Sequence, residues 1–250
     1  MPHPRCLAAA SGSAVEVYEV NVPLDAVLDI VGCGIDELEL QIARLVRDSG
    51  LRLVGVTGPS SVGKSTFVAG MVPSIKPAGS VEVIRGDDFL DAGLRGSSSY
   101  RSANGNPLTP DDFTFGQLRN TLDELERDRT VTRWGYERGV GWDDHTVSRP
   151  ADFYIVEGLF LDSVRAASFI KFDLLVVLET SWTVIAELRR RRDASVRDKL
   201  GIGFRTAAET EHEIAQTRMA YANYDRPSML SNRITVTVDS RFTVENISLG

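Results

Sequence analysis

Gly58-Pro59-Ser60-Ser61-Val62-Gly63-Lys64-Ser65-Thr66 places every required residue of the phosphate-binding loop pattern G-x-x-x-x-G-K-[ST] in order. Ahead of it, Leu51-Arg52-Leu53-Val54-Gly55-Val56-Thr57 is a short apolar run that reads as a buried strand. Behind it, Thr66-Phe67-Val68-Ala69-Gly70-Met71-Val72 continues as a helix that Pro73 is expected to stop. Strand, glycine-rich turn and helix together make the context in which the pattern carries chemistry. The glycines let backbone N–H groups curl around phosphate oxygens, and the helix N-terminus adds a favourable partial charge. The expected nucleotide-binding set is Gly58, Ser60, Ser61, Val62, Gly63, Lys64, Ser65 and Thr66. In it Lys64 reaches the terminal phosphates and Ser65 holds Mg²⁺.

The rest of the chain is that of an ordinary globular protein. Its 250 residues suffice for one α/β core with small additions. A net charge of −7 argues against non-specific nucleic-acid binding, which relies on a basic surface. Only four basic residues are lysines (Lys64, Lys76, Lys171 and Lys199), and one of them sits in the loop. Cys6 and Cys33 are too few for a disulfide framework or a metal site. Met1-Pro2-His3-Pro4-Arg5 leads into only a weak apolar run, and no stretch approaches membrane-spanning length. A cytoplasmic protein with no membrane or nucleic-acid partner is expected, with a homo-oligomer left open.

Residues 1 to about 14 are small and polar, which predicts a loose tail. Val15 to Val22 alternates apolar and polar side chains, as a half-buried strand does. Asp36 is placed to cap a helix over Glu37 to Val46 that Gly50 closes. This lead-in of residues 1–50 is expected to pack on the main domain of residues 51–250. Further strands are expected at Ser80–Arg85, Phe153–Val156, Leu174–Leu178 and Arg233–Val238. Between them, Thr109 caps a helix that begins at Pro110, Ser181 caps another from Trp182, and a third spans Thr206 to Ala222. Arg133 to Arg149 reads as irregular, and a Gly- and Ser-rich loop runs from Asp91 to Gly105. Strands alternating with helices imply a largely parallel sheet covered on both faces, with ligands at the carboxyl ends of its strands.

Phosphoryl transfer needs a phosphate cradle, an anchored metal, a group that orients the acceptor, and cations over the moving charge. Each part has a candidate. Ser65 and Glu157, which ends the Phe-Tyr-Ile-Val strand, are the metal anchors. Asp87 and Asp88 sit together at a strand end, and either can face an acceptor hydroxyl. An Asp-Asp pair elsewhere is as readily a solvated turn or a helix cap. The run Arg189-Arg190-Arg191-Arg192-Asp193 places Arg189 and Arg192 on one helical face, with Arg197 and Arg205 following in a glycine-containing segment. Such a run is ordinarily solvated surface; beside a nucleotide it becomes a lid, at about residues 189–205. Trp134, Tyr136 and Trp142 offer a flat stacking surface for a substrate ring, or packing that pins their loop.

These segments resemble, in order, those of the uridine kinase family, in the group that also holds pantothenate kinase and phosphoribulokinase. The resemblance covers about Leu51 to Asp239. Gly86-Asp87-Asp88-Phe89-Leu90 is similar to the family segment whose first Asp faces the acceptor hydroxyl, which implies Asp87 over Asp88 in that role. Asn106 to Phe113 resembles the family's N-x-D-x-P-x-x-F, and Ala151 to Gly158 resembles its apolar strand ending in Glu-Gly. The lid arginines of the family match Arg189, Arg192 and Arg197. The resemblance implies an α/β fold, a three-layer P-loop NTPase sandwich with a mostly parallel central sheet of five core parallel strands. It also implies ATP with Mg²⁺ as donor. Two positions depart from the pattern. Leu108 stands where the family carries the Asp that binds ribose hydroxyls, and the base-contacting His falls near Gly141; Tyr136 does match the family's aromatic. Losing a paired hydrogen bond of that kind costs about 1–3 kcal/mol.

The expected function is an ATP-dependent small-molecule kinase acting on a metabolite hydroxyl. Asp87, Lys64, Arg189, Arg192 and Arg197 are its catalytic set, and Asp88, Tyr136 and Trp134 contact the substrate. A nucleoside-like acceptor is expected first and a pantothenate-type metabolite second. A nucleotide-binding regulator is the rival from another class. It is disfavoured because the chain has neither the N-K-x-D guanine motif nor the L-S-G-G-Q transporter signature.

Overall fold

Leu53–Thr57 forms β1, and every one of its five residues is buried. A strand covered on both faces has no polar side to display, so its sequence shows no alternation. The computed structural model describes residues 30–91, 107–137, 141–200, 206–227 and 232–250. The expected strand at 15–22, nearly all of the Gly- and Ser-rich loop, and the 201–205 end of the expected lid lie outside them. In chain order the helices are α1 (Ile35–Asp48), α2 (Lys64–Ile75), α3 (Phe115–Glu126), α4 (Val164–Ala167), α5 (Trp182–Leu200) and α6 (Ala207–Asn223). The strands after β1 are β2 (Val81–Arg85), β3 (Val131–Glu137), β4 (Gly141–Ser148), β5 (Phe153–Gly158), β6 (Leu174–Glu179), β7 (Arg233–Val238) and β8 (Val244–Leu249).

Six strands make the central sheet in the order β2-β5-β1-β6-β7-β8. All neighbours are parallel except β8, which returns antiparallel along β7. One face is packed by α1 and α2 through Leu38, Ile42, Val46, Phe67 and Met71 against Val54, Val56, Ile155 and Val176. The other is packed by α3 and its neighbours through Phe115, Leu118 and Leu122 against Tyr154, Val156, Leu175 and Val177. The result is the expected three-layer α/β sandwich with five parallel strands, closed at one edge by β8.

Four local expectations are corrected. Pro73 does not stop α2, which runs to Ile75; proline forfeits one backbone bond there, and burial of Met71 and Ile75 on the core holds the last turn. Asp36 lies in the first turn of α1, whose N-cap is Gly34. Thr109 and Asp112 form a capping box around a short 3₁₀ turn at Pro110–Asp112, and the α-helix begins only at Phe115. The stretch Arg133–Arg149 is a β-hairpin of β3 and β4 with a register shift between Arg133 and Gly135. Among the described residues no helix is long and apolar enough to cross a membrane.

Candidate functional site

The loop after β1 lies between the ends of β5 and β6, because those strands flank β1 in the sheet. Its backbone conformation depends on particular residues. Gly58 (φ 142°) and Gly63 (φ 100°) adopt left-handed conformations, and a Cβ on Gly58 would stand 2.2 Å from the Leu178 carbonyl oxygen. Ser61 shares the unusual geometry with φ 76°. Gly63 is the N-cap of α2, so the loop N–H groups and the helix N-terminus meet at one point.

Lys64 Nζ donates to the carbonyl oxygens of Gly58 and Pro59 at 2.9 and 3.0 Å. It therefore folds back over the loop instead of pointing into solvent. Ser65 Oγ donates to the Glu157 carboxylate, with oxygens at 3.0 and 2.9 Å. Burial pushes the Glu157 carboxyl above the ordinary range; the Asp87 charge adds to that, and Lys64 and the Ser65 hydroxyl oppose it. Glu157 and Asp87 are brought together by the main chain. Arg85 of β2 stands opposite Glu157 in the sheet register, and Gly86 and Gly158 approach so closely that a Cβ on Gly158 would lie 3.0 Å from the Gly86 Cα. A hydroxyl and a carboxylate are hard oxygen ligands that suit Mg²⁺, which takes only one or two protein ligands and keeps water and phosphate in its other positions. Among the described residues no group of three or more His, Cys, Asp and Glu side chains is placed to hold a metal ion.

Asp87 and Asp88 share a 3₁₀ turn, Gly86–Phe89, at the end of β2. They have different surroundings. Asp88 is buried and ion-paired with Arg133 of β3, whose guanidinium also lies over the Phe89 ring at 5.4 Å. Asp88 thereby fastens the hairpin to the sheet. Trp134, the next residue on β3, is 43% exposed. Tyr136 and Trp142 lie on β3 and β4 with side chains outside the described ones.

The arginine run divides by direction. Arg189 is buried: it bonds Asp193 at 3.1 Å, stands 3.6 Å from Glu213 of α6, and donates to Ser60 Oγ at 2.9 Å. Arg192 is half-buried and pairs with the other Asp193 oxygen at 3.3 Å. Arg190 and Arg191 face solvent and pair with Glu211 and Glu187. Arg197 is half-buried on α5 itself, one turn and more beyond the run, rather than in an open glycine-containing segment.

Sequence reasoning missed a second contact to the loop. Tyr221 of α6, half-buried against the core, donates its hydroxyl to the Gly58 carbonyl at 2.6 Å and stacks on Phe160 at 4.9 Å between centroids. Burial raises its pKa well above the ordinary value, so the hydroxyl keeps the proton it donates. Beside it, Tyr224 bonds the buried carboxylate of Asp162 at 2.8 and 2.9 Å, and Arg226 bridges Asp162 and Glu179. A Tyr-x-x-Tyr spacing on a helix is the only local sign of this cluster, and it says nothing of a partner in the loop.

Residues 53–244 match the model of the Phosphoribulokinase / Uridine kinase family. Among curated proteins no sequence matches the chain. Solved structures share its fold at low identity. A D-glycerate 3-kinase from Cryptococcus neoformans var. grubii covers 86% of this chain and 99% of its own, with a TM-score of 0.66 at 12% identity. A candidate fructose transport system kinase from Silicibacter sp. TM1040 covers 82% and 99%, with a TM-score of 0.55 at 19% identity. A candidate P-loop kinase with a circular permutation, from Saccharomyces cerevisiae, covers 82% and 99%, with a TM-score of 0.54 at 10% identity. At such identities the likeness is one of fold.

Proposed function

The chain belongs to the Phosphoribulokinase / Uridine kinase family, and from that premise we propose an ATP-dependent kinase that transfers the γ-phosphoryl group to a hydroxyl of a small metabolite. The observation that carries this reading is the Ser65–Glu157 pair at 2.9–3.0 Å beside the Lys64 loop, with Asp87 across the Gly86–Gly158 contact. Lys64 and the N–H groups of Gly58 to Thr66 bind the phosphates. Ser65 and Glu157 hold Mg²⁺, which screens phosphate charge when bound. Asp87 orients the acceptor hydroxyl and takes its proton, a role left to it because Asp88 is engaged with Arg133. Arg192 and Arg197 are the lid cations, and Arg189 fixes the lid helix to Ser60.

The acceptor assigned here is a small hydroxyl compound other than a ribonucleoside, such as a hydroxy acid or pantothenate-like alcohol. Leu108 supports this: it is 8% exposed and packed in the same cluster as Phe113 and Phe115, so this position neither carries an acid nor opens to a ribose. A nucleoside, the first expectation from the sequence, becomes the second reading, favoured by the exposed Trp134 ring on the hairpin.

The test is ADP release from ATP with Mg²⁺ across a panel of hydroxy acids, pantothenate, sugar alcohols and nucleosides, with products read by mass spectrometry. Acceptor-dependent ADP release with a phosphorylated product is expected; ATP binding with no acceptor-dependent turnover would favour a regulator.

Glu157→Gln separates stability from activity. Its turnover is expected to fall about 10²- to 10³-fold, since the amide holds Mg²⁺ poorly. The stability sign is opposite. A carboxyl whose pKa is raised on folding contributes stability below its unfolded pKa, and that contribution is lost as pH rises through the folded value. Metal-free Glu157→Gln should therefore melt no lower than wild type at pH 8, with any advantage vanishing near pH 4. A metal-free variant that melts well below wild type at pH 8 would contradict the burial argument.

A further inference from the structure

Phe242 sits in the turn between β7 and β8 in a left-handed conformation, with φ 59°. For a bulky side chain that is an unfavourable conformation, one that glycine or asparagine adopts far more readily. The turn is fully bonded around it. Asp239 Oδ1 accepts from the N–H groups of Arg241 and Thr243, each at 2.8 Å, and the Phe242 N–H donates to the Asp239 carbonyl at 3.1 Å. What the aromatic ring touches is the last glycine of the phosphate loop. A Cβ on Gly63 would meet Phe242 Cε1 at 3.1 Å, Cζ at 3.7 Å and Cδ1 at 3.9 Å, so the ring fills the space that Gly63 leaves open.

The turn is also tied from the other side, by residues that precede the family-matched segment. Ile35 at the start of α1 donates its N–H to the Phe242 carbonyl at 2.8 Å; Gly32 donates to Val244 at 2.7 Å, and Val244 returns a bond to Cys33 at 2.8 Å. The body of α1 lies against α2, the helix that Gly63 caps, with Leu38, Ile42 and Val46 in the core shared with Phe67 and Met71. The α1 carboxylate of Glu39 occupies the space where a side chain at Gly70 of α2 would be. One continuous arc of contacts thus runs from α2 through α1 to Phe242 and back to the loop at Gly63.

We infer that Phe242, latched by the α1 entry at residues 32–35, is a positioning residue that braces the phosphate loop in its anion-binding shape. The inference rests on the reading of that loop as the triphosphate site. Converging N–H groups repel one another in the absence of an anion, and a loop held in shape beforehand spares the ordering that binding would otherwise require. The ring acts on the peptide that presents phosphate donors, so its effect falls on the polyphosphate and not on the base.

The experiment measures binding of Mg-ATP and of Mg-tripolyphosphate by calorimetry for wild type, Phe242→Asn, Phe242→Tyr and Lys64→Ala. Asparagine suits the left-handed conformation, so Phe242→Asn removes the ring while easing the backbone. Its affinity for both ligands is expected to fall by the same factor, about five- to tenfold, with the melting temperature close to wild type and Phe242→Tyr restoring binding. Undiminished binding of both ligands overturns the inference. So does a loss confined to ATP, which would mean that the ring meets the base. If Phe242→Asn does not fold, Phe242→Leu keeps apolar bulk without the flat ring and should weaken both ligands equally, by about threefold; unchanged affinities there overturn the inference as well. Lys64→Ala tests the underlying reading separately: if it binds tripolyphosphate as wild type does, the loop is not the phosphate site. If it loses binding and the Phe242 variants do not, only the brace fails.

Discussion

Asp87→Asn is expected to reduce turnover about 10³-fold while ATP binds as in wild type. The two side chains have the same shape, and asparagine can still hydrogen-bond an acceptor hydroxyl, so the pocket should survive. What asparagine lacks is the ability to take the proton as the oxygen attacks. A second consequence follows from charge. Asp87 helps to raise the Glu157 pKa, so removing its charge should let Glu157 ionise at lower pH. The acid limb of the residual kcat/KM profile should shift downward, since that limb reports groups of the free enzyme. Steady-state ADP release over pH 5–9, with ATP binding by calorimetry, checks both points. Undiminished turnover would remove Asp87 from the acceptor role and reopen the case for Asp88.

Arg189→Ala should have the largest effect on stability, about 3–5 kcal/mol. The Arg189 side chain is 6% exposed, and the two carboxylates beside it, Asp193 and Glu213, are 0% and 6% exposed. Deleting the guanidinium removes the cation that two buried acids share, although Asp193 keeps its pair with Arg192 at 3.3 Å, and the Ser60 hydroxyl loses a donor. For a chain of this size the melting temperature should drop by about 10 °C or more. Arg189→Lys keeps a charge but not the fork that reaches three partners, and should fall between. Thermal melts decide it; a variant as stable as wild type would mean that the paired acids find other partners.

The fold was legible because the three adjacent strands β5, β1 and β6 of its parallel sheet are buried on both faces. Leu53–Val56, Phe153–Val156 and Leu174–Leu178 are unbroken apolar runs between helical segments, the pattern that a covered parallel sheet produces. The β3–β4 hairpin was missed for the opposite reason. Glycines at 135, 139 and 141 and acids at 143 and 144 interrupt the alternation that marks a strand. The candidate site was legible where it is local. Gly58 to Thr66 is a contiguous motif, and Asp87 and Glu157 are read from the ends of their strands. The Tyr221 contact to Gly58 spans 163 residues and the ring of Phe242 meets Gly63 from much further along the chain, so neither leaves a mark near the loop. Helical spacing likewise grouped Arg189 with Arg192, but only packing against α6 decides which guanidinium turns inward.

The backbone contact between Gly86 and Gly158 bears on how such an enzyme changes trade. The spacing of Asp87 and Glu157 is set by two peptide chains touching, not by the rotamers of surrounding side chains. A library that rebuilds the hairpin at Arg133–Ser148, or the contacts of Leu108, would alter the walls around an acceptor and leave that spacing alone. Substrate preference is then free to drift in evolution or be retargeted by engineering, while an alanine at either glycine would be expected to silence every descendant alike.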